Sequence, residues 1–109
     1  MGAAPFRAAA ALLLCLAVAP PAVAWDANVE RGRALARSEC ARCHAVGRTG
    51  ASPLRQAPPF RTLHERYPVD DLAEALTEGI RTGHPSMPEF RFDPERAEAL
   101  IAYLKTLER

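Results

Sequence analysis

Apolar residues fall into two kinds of run along this chain. From Ala8 to Ala19 (AAAALLLCLAVA) they are almost continuous, whereas from Asn28 onward they return every three or four positions. The second pattern predicts amphipathic helices. In Asn28–Ser38, Val29, Gly32, Leu35 and Ala36 share one face, and Asp26 stands where an N-cap is wanted. A short helix is expected over Phe60–Tyr67. Another is expected over Val69–Arg81, where Leu72, Ala75, Leu76 and Ile80 keep helical spacing. The last is the best punctuated: Asp93 can cap it and Pro94 suits its first turn. Ala97, Leu100, Ile101, Leu104 and Leu107 form its apolar stripe. No segment alternates as a strand would, so the expected class is all-α.

Gly and Pro punctuate the remainder. Ala45–Pro59 (AVGRTGASPLRQAPP) and Thr82–Phe92, with Gly83, Pro85 and Pro88, read as long stiffened loops. Such loops tend to carry function.

The continuous run has a different meaning. Arg7 precedes it, Pro20 and Pro21 end it, and Ala22-Val23-Ala24 supplies small residues before Trp25. This is the layout of a secretory leader cut between Ala24 and Trp25. The run of twelve apolar residues is short of the roughly 20 a spanning helix needs, so no permanent membrane anchor is expected. Leu14 ahead of Cys15 is too large for a lipoprotein site, and Cys15 reads as a small hydrophobe. Export is expected to leave one domain, residues 25–109, in the periplasm.

The charge balance is even, with 14 basic and 13 acidic residues in the whole chain. That excludes a general attraction to nucleic acid. The distribution is uneven: residues 40–66 hold Arg42, Arg48, Arg55, Arg61 and Arg66 against Glu65 alone. A domain this small buries a thin core and often relies on staples or a cofactor. Only Cys40 and Cys43 remain beyond the leader, too few for a disulfide framework.

Cys40-Ala41-Arg42-Cys43-His44 carries the chemistry. Two thiols three residues apart can form thioethers with the vinyl groups on one edge of a haem, and His44 follows to meet the iron. This is the haem c attachment spacing. A thioredoxin-like dithiol would need a βαβ unit, a structural zinc site about four ligands, and a disulfide here would close too small a loop to stabilise much. With His44 on the iron, the other axial ligand decides between electron transfer and chemistry at the metal. Met87, His64 and His84 are the candidates; Met87 precedes Pro88 in a stiff polar loop where a packing Met would be out of place.

These residues resemble the class I c-type cytochromes along essentially the whole of residues 25–109. Val29-Glu30-Arg31-Gly32 is similar to that family's N-terminal helix, and Leu100-Ile101-Ala102-Tyr103-Leu104-Lys105 to its C-terminal helix. The resemblance implies a cytochrome c fold: about four short helices and two long loops around one covalently bound haem c. It implies a close helix crossing at Gly32 and Tyr103, with Tyr103 among the cofactor's surroundings. It implies that the Pro58 carbonyl, with Pro53 second in line, accepts a hydrogen bond from His44. It implies that Met87 is the second axial ligand. Two departures stand out. Ala36 occupies a position often aromatic in the family, and no tryptophan is placed to meet a haem propionate, leaving Arg55, Arg61 and Arg91 as substitutes. The implied function is electron transfer with other redox proteins and no enzymatic reaction. A subunit of a periplasmic dehydrogenase, or a haem sensor or enzyme with a displaceable Met, are the alternatives.

Overall fold

The computed structural model describes residues 1–5, 8–18, 23–79 and 86–109, with side chains in the first helix from Ala27 onward. Arg7, Pro20, Pro21, Ala22 and the segment Ile80–Pro85, with Gly83 and His84, lie outside the described residues. Helix α1 spans Val23–Leu35, α2 Leu72–Glu78 and α3 Pro94–Thr106. Two 3₁₀ helices, Phe60–Glu65 and Val69–Asp71, stand between α1 and α2. The described residues contain no strand, in keeping with the all-α expectation. No helix among them is long and apolar enough to cross a membrane.

The apolar stripes meet where α1 crosses α3. Val29, Leu35 and Ala36 from α1 are buried with Leu100, Ile101, Tyr103 and Leu104 from α3. Gly32 lies at the crossing: a Cβ there would stand 1.9 Å from the Ala99 carbonyl oxygen and 2.8 Å from Tyr103 Cβ. Only a residue without a side chain lets the backbones approach this far. The N-terminus of α3 is built as its sequence suggests. Asp93 adopts an extended conformation and its carboxylate accepts from the Arg96 amide at 2.9 Å, with Pro94 in the first turn.

Three boundaries differ from the sequence expectations. α1 begins at Val23, so Asp26 stands inside the helix and does not cap it; no Gly or Pro between Val23 and Arg31 forces a later start. At its other end the ladder widens into a π turn over Ala36–Cys40, with Ala41 N–H donating to the Ala36 carbonyl at 3.0 Å. There the Ser38 hydroxyl donates to the Leu35 carbonyl at 3.2 Å, competing for an acceptor that the α ladder would use. Phe60–Glu65 is 3₁₀ and not α: Phe60 and Leu63, three apart, both bury, which suits three residues per turn.

The third helix expected from sequence, Val69–Arg81, is divided. After the 3₁₀ turn, α2 ends at Glu78, where Gly79 takes φ 78° and donates to Ala75 O. A Cβ on Gly79 would also come within 2.6 Å of Glu89 and 2.8 Å of Arg91. The chain returns past this point through Phe92, whose amide donates to the Leu76 carbonyl at 2.8 Å. That bond fixes the segment holding Met87 against α2.

Candidate functional site

The cavity at the centre of the molecule is about 590 Å³, inside the range of roughly 300–1,000 Å³ usual for cofactor pockets. Leu100 and Leu104 of α3 and Leu72 and Leu76 of α2 give it apolar walls, and Phe60 and Leu63 add the first 3₁₀ helix. Cys40, Cys43 and His44 line it together, and so does Met87 from the other end of the chain.

Cys40 and Cys43 are half-buried free thiols. The π turn leads straight into a tight turn in which the Cys43 and His44 amides both donate to the Cys40 carbonyl, at 3.2 and 3.0 Å. Burial pushes the Cys40 thiol up to about 11, and the neighbouring Glu39 and Cys43 add to the effect. Cys40 is a neutral thiol near pH 7, on the wall of a largely apolar cavity.

His44 Nδ1 lies 2.7 Å from the Pro58 carbonyl oxygen. A carbonyl can only accept, so Nδ1 carries the proton and Nε2 keeps the lone pair a metal needs. The ring also packs against Phe60, centroids 5.0 Å apart. Pro53 is exposed and Pro58 holds the contact.

The backbone around the histidine is held on all sides. Leu54 N–H donates to Cys43 O at 3.0 Å, Ala45 N–H to Ser52 Oγ at 3.0 Å, and Phe60 N–H to Ala45 O at 2.9 Å. Tyr103 does not line the cavity. Its hydroxyl donates to the Val46 carbonyl at 2.5 Å, and the Arg48 guanidinium donates to Thr106 O at 2.7 Å. The expectation of Tyr103 beside the cofactor therefore becomes a bond to the loop two residues beyond His44. The Ser52 contact escaped the sequence reading because a Ser in a Gly/Pro-rich loop carries no spacing signal, and Arg48, read there only as part of the basic stretch, gave no sign of its bond to α3.

Among the axial candidates, Met87 is half-buried on the cavity wall. His64 is not on that wall, and its Nδ1 is buried with no hydrogen-bond partner. His84 lies outside the described residues. None of the arginines expected near a propionate lines the cavity either. Arg91 pairs with Glu89 at 3.4 Å, Arg61 Nη1 is buried without a hydrogen-bond partner, and Arg55 is exposed. Arg42 and Arg66 are the arginines that line the cavity among the described residues.

A haem fits this donor set. Two thiols, an imidazole and a thioether line one largely apolar cavity of cofactor size. No group of three or more His, Cys, Asp or Glu among the described residues could hold a metal ion unaided.

Comparison with known proteins agrees with that chemistry. One similar protein is "Cytochrome c-553-like" of Synechocystis sp., 28% identical over 85 residues, covering 78% of this chain and 74% of the relative. No solved structure matches. Residues 27–104 match the model of the family described as cytochrome C oxidase, cbb3-type, subunit III. The match covers more than half of the sequence, so the chain belongs to that family and is a small c-type cytochrome, an electron-transfer protein with covalently bound haem c.

Proposed function

We propose that this protein is a periplasmic electron carrier with one haem, joined to Cys40 and Cys43 and ligated axially by His44 and Met87. The observation that carries the reading is the meeting of those four side chains on one cavity. When bound, the haem supplies an iron that alternates between two oxidation states. The chain's residues do the rest. Cys40 and Cys43 fix the cofactor's edge, the Pro58 carbonyl holds the His44 ring in one tautomer, and Met87 closes the second axial position. Leucines from α2 and α3 keep water from the site. A thioether ligand in apolar surroundings favours the reduced state and a relatively high potential.

Residues 1–24 serve in this reading as the export leader, and 25–109 form the monohaem domain. Cleavage between Ala24 and Trp25 takes Val23 and Ala24 from the start of α1 and leaves the α1–α3 crossing intact.

Absorption spectra of the purified oxidised and reduced protein, with and without carbon monoxide, test the assignment. Haem should remain on the denatured polypeptide, and the oxidised protein should show the weak long-wavelength band of a sulfur–ferric bond. Met87→Ala should abolish that band and His64→Ala should leave it. Haem that extracts into acidified organic solvent would defeat the covalent assignment. Loss of the low-spin spectrum in His84→Ala, with Met87→Ala unchanged, would move the ligand to His84.

A second reading, an electron-accepting subunit of a larger redox assembly such as a dehydrogenase, draws on the family description, which names an oxidase subunit. Copurification with a larger protein at fixed stoichiometry separates subunit from shuttle.

A further inference from the structure

An α-helix leaves its last carbonyls without partners of its own. At the end of α2 the Gly79 amide donates to Ala75 O at 3.2 Å, and the next carbonyl in line, Leu76 O, accepts from the Phe92 amide at 2.8 Å. Were the helix to run on by one residue, the amide of residue 80 would claim Leu76 O by ordinary helical pairing. Continuation of α2 and attachment of Phe92 therefore compete for one acceptor.

Gly79 decides that competition. At φ 78° and ψ 34° it is left-handed, a conformation that ends the helix and that residues with a Cβ resist. Nothing else in the sequence stops α2 there. Neither Gly nor Pro stands at 80, 81 or 82, and Ile80 extends the apolar spacing of Leu72, Ala75 and Leu76. A Cβ on Gly79 would also meet Glu89 Oε1 and Arg91 Nε, but both belong to exposed side chains that can swing aside. The turn itself matters more than the crowding.

Phe92 anchors the segment that carries Met87. It is buried, its ring stacks on Phe90 at 5.1 Å, and the Arg96 guanidinium lies 5.1 Å from its centroid. Met87 stands five residues earlier in the chain. Met87, Pro88 and Phe90 line the cavity together with Leu76.

We propose that Gly79 is a positioning residue for the axial ligand: its left-handed turn reserves Leu76 O for Phe92 and so holds Met87 in place. The inference rests on the Met87 assignment above. Once Met87 is displaced, Phe92 is free to leave and residue 79 to relax into the helix. A side chain at 79 thus penalises the Met87-bound state alone, and a ligand that competes with Met87 gains by the same factor.

The test titrates the ferric holoprotein with imidazole, which competes for the Met87 position, and follows hydrogen exchange of the Phe92 amide. Gly79→Ala should tighten imidazole binding by about fivefold to thirtyfold and speed Phe92 exchange by a similar factor. Gly79→Asn tolerates the left-handed region better and should show both effects at smaller size; it decides if Gly79→Ala does not accumulate as holoprotein. Tyr103→Phe, altered on the histidine side of the fold, should keep the parent's imidazole affinity within about twofold. Imidazole affinity or Phe92 exchange unchanged in the Gly79 variants would overturn the proposal, and so would an equal rise in Tyr103→Phe. A Gly79→Ala effect that vanishes in a Glu89→Ala/Arg91→Ala background would overturn it too, by assigning the effect to crowding. A parent without the sulfur–ferric band would defeat the Met87 reading instead, while Phe92 exchange would still report on the turn.

Discussion

Gly32 approaches Ala99 so closely that a methyl group on its α-carbon would stand 1.9 Å from the Ala99 carbonyl oxygen. The oxygen belongs to the backbone of α3, so it cannot swing aside as a side-chain tip could. Gly32→Ala must push the two helices apart. The better helix propensity of Ala, worth about 1 kcal/mol, is outweighed by a strain of about 1–3 kcal/mol or more. Denaturant unfolding of the holoprotein should show net destabilisation. Gly47→Ala, where a Cβ meets nothing within 4 Å, should lie within about 0.5 kcal/mol of the parent. Equal stability of both variants would mean that the crossing is not this tight.

Tyr103 ties α3 to the histidine loop through its hydroxyl on Val46 O. Tyr103→Phe keeps the ring and its contact with the Arg33 guanidinium, 5.6 Å from the centroid, and removes only the hydrogen bond. The expected loss is about 0.5–1.5 kcal/mol in denaturant midpoint at unchanged slope. A stability equal to the parent would show that water replaces the hydroxyl without penalty.

Asp93 caps α3 by accepting from the Arg96 amide. Asp93→Ala should cost about 1 kcal/mol, and Asp93→Asn, which keeps an acceptor oxygen, should recover most of it. A loss in Asp93→Asn as large as in Asp93→Ala would point to charge at the helix end, and away from the hydrogen bond.

Much of this arrangement was legible from local signals. α3 announces itself because its cap, its first-turn proline and its apolar stripe agree, and all five stripe residues are buried. Cys40, Cys43 and His44 are legible because C-x-x-C-H is a haem c attachment spacing in its own right. The start of α1 was not, since Asp26 can cap a helix or sit inside one and nothing upstream forbade the longer helix. Phe60–Glu65 is legible as a short helix but not as a 3₁₀ one, because three- and four-residue periods are hard to separate over six residues. The arginines show the sharper limit. Arg55, Arg61 and Arg66 look alike in sequence, and only the tertiary path of the 3₁₀ helix brings the last to the cavity.

That path also sorts the arginines for docking. Residues 40–66 carry five arginines and one acid, a bias that could steer an acidic partner toward the haem edge. Arg48 donates to the Thr106 carbonyl at the end of α3 and does not line the cavity. Arg42, exposed and on the cavity wall, is the arginine left at the thioether edge. Redox complexes are small and short-lived, so orientation before contact matters more than tight binding. One close charge pair in water is worth about 1 kcal/mol, or about a fivefold change in rate. Stopped-flow electron transfer to the native partner should therefore slow by up to about fivefold in Arg42→Gln at low ionic strength. The difference should vanish above roughly 0.5 M salt, where screening is short-ranged. Arg48→Gln should slow transfer less, because Arg48 does not line the cavity. A rate indifferent to salt in the parent, or an Arg48→Gln effect exceeding that of Arg42→Gln, would instead assign docking to the apolar surface around the cavity mouth.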